Sequence, residues 1–215
     1  MAAAIDGLEV TAAQVNSLLN NPVRALIVGL VVAGLTLTVW LVTGPVDPRA
    51  LISVLLRFVH VISAMTWIGF VFFVNFIQMP ALQEADEASW SAIFEVDCPP
   101  RVAAGFRFTS HLTVLSGALL LVSTGYLLGE WVFSSQVSMA PPRSFMLAAG
   151  ALGGLLMWAF VNHAIWPSLK IVLGQTAGDA GAQARARRTV KRYARLNLVL
   201  ALPVTFAMVA AAHLS

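Results

Sequence analysis

Charge is scarce in this chain. Only 11% of its 215 residues are Asp, Glu, Lys or Arg, against roughly a quarter in a soluble domain. With 59% hydrophobic residues and a mean hydropathy of +0.82, too few polar side chains exist to cover a water-facing surface. Lipid is the solvent that this composition requires. Cysteine occurs once, as Cys98, which excludes an internal disulfide framework and any multi-cysteine zinc or iron–sulfur site. Acidic residues are missing from the middle of every long apolar stretch. With them goes the intramembrane carboxylate on which ion-coupled transport usually depends. There is no Gly-rich phosphate loop, nucleophile elbow or HExxH zinc helix, and nothing that marks a nucleic-acid-binding surface. No internal repeat, low-complexity segment or CxxCH haem-attachment motif is evident.

What is present is apolar and long. Five stretches, at about 24–43, 50–79, 102–129, 144–173 and 193–213, each reach the ~20 residues that cross about 30 Å of hydrocarbon. They predict an all-α polytopic membrane helix bundle over residues 24–215, with no soluble domain of any size. Gly44-Pro45-Val46-Asp47-Pro48 stops the first span and Pro80 breaks the second. Pro167 and Pro203 predict local kinks in the fourth and fifth. Residues 1–23 carry Asp6 and Glu9 and lack the layout of a cleavable signal. Ile5, Leu8, Val15, Leu18 and Leu19 suit a short interfacial amphipathic helix capped at Thr11, with a partly ordered tail as the alternative.

The dense basic cluster, Arg185, Arg187, Arg188, Lys191, Arg192 and Arg195, falls in the loop expected between spans four and five. The positive-inside rule makes that loop cytoplasmic, which puts the N-terminus inside and the C-terminus outside, in a bacterial inner membrane. The loop between spans two and three shares that side and is acidic, with Glu84, Asp86, Glu87, Glu95 and Asp97. Two oppositely charged loops on one face can pair with each other, with partners, or stand solvated beside lipid.

Chemistry, if the chain performs any, falls to His60, His111, His163 and His213, each in or at the edge of a span. His111 lies about nine residues into span three and His163 about nine before the end of span four, so at 1.5 Å per residue the two are level. His60 and His213 form a second level pair near the outer surface. Imidazoles facing each other across a bundle are the usual holders of b-type haem. Arg57 and Arg107 precede His60 and His111 by three and four residues, which puts each on its histidine's helix face as a partner for a haem propionate. Trp67, seven residues beyond His60, lies on the same stripe and can wall a macrocycle. The structural alternatives are snorkelling arginines, packing or interfacial tryptophans, and histidines that only bond between helices.

At these residues a family resemblance enters. The run RFVHVISAMTWIGFVFFVNFIQMPAL, from Arg57 to Leu82, resembles the first signature of the urate oxidase N-terminal membrane domain family. PRVAAGFRF (Pro100 to Phe108), IWPSLKIVLG (Ile165 to Gly174) and ARLNLVLALPVTFAMVAAAHLS (Ala194 onward) resemble its later elements in order. Members are often labelled urate hydroxylase, and some carry a fused C-terminal cytochrome c domain. His60, His213, Arg57, Trp67, Gly69, Trp166 and Pro167 match the family pattern, whereas His111 and His163 fall where it has no histidine. The resemblance implies membrane redox chemistry, with electrons leaving to a separate c-type cytochrome or a respiratory or photosynthetic complex. Its alternatives are a non-catalytic subunit of such a complex and urate oxidation by the chain itself.

Overall fold

The computed structural model describes residues 20–45, 47–86, 89, 97–125 and 141–213, and every regular element among them is helical. Five helices are long and apolar enough to cross a membrane: Pro22–Thr43, Pro48–Glu84, Cys98–Ser123, Pro142–Val172 and Ala180–His213. The expected all-α polytopic architecture is therefore present. The N-terminal amphipathic helix was expected within residues that lie almost wholly outside those described. The chain divides into two units, residues 1–50 and 51–215, which are taken separately.

The first unit contains α1 (Pro22–Thr43). Asn21 caps it, its side-chain oxygen accepting from the Val23 and Arg24 backbone N–H groups at 2.9 and 3.3 Å, while Pro22 occupies a first-turn position that needs no donor. Within the apolar run, Thr36 and Thr38 donate their hydroxyls to the Val32 and Gly34 carbonyls one turn back. Those two hydroxyl hydrogens are thereby satisfied within the helix rather than facing lipid.

The second unit is a bundle of four long helices. Its first, α2 (Pro48–Phe73), is capped by Asp47. Pro80 does not break the helix, as the sequence suggested. A π-helical turn at Val74–Gln78 leads into α3 (Met79–Glu84), with Pro80 in its first turn. The fourth span repeats the device: α5 (Pro141–Ala159), a π turn at Phe160–Ile165, then α6 (Trp166–Val172) with Pro167 in its first turn. Proline lacks an N–H and its ring clashes with the carbonyl four residues back. That carbonyl belongs to Phe76 in one case and His163 in the other, both inside the widened turn, so the clash is relieved without ending the helix.

Between these lies α4 (Cys98–Ser123), which stops six residues before the expected 129, since Gly125 takes a left-handed φ of 78°. The last helix, α7 (Ala180–His213), begins thirteen residues before the expected 193. The basic cluster expected in a loop is thus helical. Gly174 (φ 69°) closes α6 with a Schellman pair, Gln175 N–H to Lys170 O at 2.9 Å and Gly174 N–H to Ile171 O at 3.1 Å. Asp179 then caps α7 through the Ala182 N–H at 2.6 Å, and the Ala- and Arg-rich run that follows consists of strong helix formers. Its 34 residues span about 51 Å at 1.5 Å per residue, well beyond the hydrocarbon.

Each long helix contributes to one core layer: Trp67 and Val71 from α2, Phe106 from α4, Met157 and Val161 from the fourth span, and Ala201 from α7. Large apolar residues such as Phe108, Leu152, Val199 and Phe206 face outward, while Ser63, Asn75, Ser110, Thr113, Ser116 and Asn197 are buried. Apolar side chains outside and small polar ones between helices is what lipid as solvent selects. Glycines bring the helices close. A Cβ at Gly153 would stand 2.5 Å from Val204 Cγ2, one at Gly105 2.9 Å from Phe70, and one at Gly117 2.9 Å from His60 Cε1.

The two π turns expose an internal repeat, correcting the expectation that there is none. Phe73-Val74-Asn75, Pro80 and Leu82 recur as Phe160-Val161-Asn162, Pro167 and Leu169, an offset of 87 residues (Phe73 to Phe160). The same offset relates α4 to α7, carrying Phe106 to Tyr193, Arg107 to Ala194 and Ser110 to Asn197, the last two both fully buried. The contacts follow the rule. Asn75 donates to the Ala194 carbonyl at 3.2 Å, and Asn162 accepts from Arg107 Nε at 3.3 Å. These two contacts join corresponding positions of the two halves.

Candidate functional site

His60 sits between α2 and α4. Its Nδ1–H donates to the Thr113 carbonyl at 2.9 Å, and the Ser116 hydroxyl lies 3.4 Å from the same nitrogen. A carbonyl only accepts, so this bond sets the tautomer and leaves Nε2 as the lone-pair nitrogen. Gly117 makes the room that the ring occupies. Arg57, one turn earlier, is exposed. Trp67 packs into the central core layer at 3% exposure. His213 ends α7 at the same end of the bundle, with its Nδ1–H on the Val209 carbonyl at 2.8 Å and Nε2 again the lone-pair nitrogen.

His111 and His163 both contact the ring of Trp158. Its indole meets His111 edge-on at 5.7 Å between centroids and His163 at 5.9 Å. The indole Nε1–H donates to His111 Nδ1 at 3.0 Å, so that lone pair is committed. Arg107 turns away from His111: besides bonding Asn162, its guanidinium lies 4.6 Å from the Trp166 ring centroid. Among the described residues no group of three His, Cys, Asp or Glu is placed to hold a metal ion.

The second feature was not anticipated. A cavity of about 480 Å³ lies between the two repeats, within the second unit. Residues related by the 87-residue offset line it from both sides, among them Val74 with Val161, Leu82 with Leu169 and Arg107 with Ala194. None of the four histidines lines it. Its walls are chiefly apolar, and Arg107, Arg187, Arg188 and Lys191 supply the charge. Asn75 also lines it; its amide nitrogen bonds the Val71 and Ala194 carbonyls, while its Oδ1 is buried without a partner. Asn197 and the Trp67 indole N–H are likewise buried and unpartnered. Asn75, Asn162 and Trp158 were absent from the sequence-derived site, although the repeated Phe-Val-Asn…Pro-x-Leu pattern would have singled out the two asparagines.

Fold and site define an integral, polytopic helix-bundle membrane protein built on two repeated hairpins. No protein-family model, curated protein or solved structure matches the chain.

Proposed function

We propose that the chain is a membrane electron-transfer protein that carries b-type haem at the outer end of its bundle. The observation that supports this most is the orientation of His60. A backbone carbonyl holding Nδ1–H, with Nε2 presented as a lone pair, is the arrangement that fixes metal-ligating imidazoles. His213 offers the same nitrogen at the same end, so the two residues fit the donor set of bis-imidazole haem. Arg57, on the His60 face, is the propionate partner in this reading. When bound, haem would supply a one-electron carrier. The protein's own residues orient the imidazoles and exclude water from between α2 and α4. His111 has no ligand role here, since its Nδ1 lone pair accepts from the Trp158 indole N–H, and His163 packs edge-on against the same ring.

The basic start of α7 marks the cytoplasmic side, so the His60 end faces outward in a bacterial inner membrane, where a c-type cytochrome or respiratory complex is the electron partner. The family resemblance points to the same chemistry, and urate oxidation by the chain rests on that resemblance alone. The test is an absorption spectrum with pyridine haemochrome quantitation on protein purified from native membranes. We expect about one b haem per chain, lost in His60→Ala and retained in His111→Ala and His163→Ala. A well-folded preparation without a Soret band refutes the reading.

A further inference from the structure

We propose that the cavity between the two repeats binds a single-chain anionic amphiphile. Its carboxylate or phosphate head would lie against Arg188 and Lys191, with its apolar body between the two helices that carry the π turns. The place itself is the first argument. In transporters built from repeats, ligands settle at the repeat interface, where both halves depart from regular helix at corresponding positions. Here both π turns and both following prolines occupy corresponding positions, and their neighbours Val74, Val161, Leu82 and Leu169 form the walls.

The chemistry of the lining narrows the class. Among the described residues four basic side chains line the cavity and no carboxylate does, a lining that favours an anion over a cation. The remaining walls are too apolar for a sugar or nucleotide, whose many polar groups would be left unpaired. At about 480 Å³ the space lies within the ~300–1,000 Å³ of small-molecule sites. That suits one acyl-sized body rather than the two chains of a bilayer phospholipid. Much of the charge lies toward one end of the cavity: Arg188 and Lys191 sit in the third and fourth turns of α7, whereas Phe106 and Val161 belong to the core layer, with Arg107 beside them bonded to Asn162. An amphiphile lying parallel to the lipid chains has the same polarity gradient.

The site is separate from the histidines and does not depend on haem. It is tested with the full chain in phosphatidylcholine nanodiscs, by equilibrium binding of tritiated palmitate. Saturable binding of about one palmitate per chain is expected, with palmitate methyl ester failing to compete because it has no charge to pair. The double variant Arg188→Gln/Lys191→Gln should bind at least about tenfold more weakly. Ala103→Trp, which fills the cavity from α4, should abolish binding. Val190→Trp does the same from α7 should the first variant not fold. Competition by lysophosphatidate shows that phosphate heads are accepted, and its failure assigns the site to carboxylates; either result keeps the proposal. Equal competition by the methyl ester, binding unchanged by the two tryptophans, or displacement of palmitate by urate at comparable concentration overturns it.

Discussion

Gly117→Ala tests how α2 and α4 are held together. The new methyl would stand 2.9 Å from His60 Cε1 and 3.1 Å from Nδ1, closer than side-chain carbons normally approach. The ring can retreat only by giving up its 2.9 Å bond to the Thr113 carbonyl. Interhelical hydrogen bonds inside membranes are worth about 0.6 kcal/mol on average and up to about 1.7. Overpacking costs about 1–3 kcal/mol, and alanine returns roughly 1 kcal/mol of helix propensity over glycine. A net destabilisation of about 1–3 kcal/mol follows, measurable by reversible unfolding in mixed detergent–dodecyl sulfate micelles. The decisive step is a double-mutant cycle with His60→Ala. With the imidazole gone the methyl has nothing to strike, and its cost should fall to about zero or turn slightly favourable. An equal penalty in both backgrounds, or none in the parent, refutes the packing argument and with it the fixed orientation on which the haem proposal depends.

Two further expectations follow from the same geometry and from the surface. Gly153→Ala should cost about 1–3 kcal/mol, since its Cβ would meet Val204 Cγ2 at 2.5 Å, whereas Gly154→Ala, with nothing within 4 Å, should be neutral in the same unfolding assay. The Asp86 carboxyl, outside the spans, is held below its ordinary pKa first by the Ser89 side chain and then by the Ser89 backbone N–H. Ser89→Ala should therefore raise the Asp86 pKa in a carboxyl-carbon NMR titration. Because the folded value is the depressed one, the contribution of this turn to stability is present above the unfolded pKa and is lost as pH falls through the folded value. An unchanged titration would mean that the backbone bond alone suffices.

Much of this protein is legible without coordinates, and the reason is the solvent. In lipid every backbone polar group must be satisfied within its own helix, so composition and run length alone determine that the chain is a polytopic all-α bundle of five spans. Helix rise relates residues of one continuous helix. It does not give the partners that side chains find across helices, such as the Trp158 indole that donates to His111.

Tertiary structure decided the rest. Pro80 reads as a stop because proline usually ends a helix, and only packing makes a π turn worth its poorer hydrogen bonding. The basic cluster reads as a loop because charges seldom enter a span, yet the helix that crosses the membrane simply continues into water. The repeat is carried by a few identities within ten positions, too sparse to stand out until the two π turns set the alignment and the reciprocal Asn75–Ala194 and Asn162–Arg107 contacts confirmed it. A cavity is a property of facing surfaces. No single helix encodes it, and its cationic lining arises only because α4 and α7 bring Arg107, Arg188 and Lys191 to the walls of one cavity.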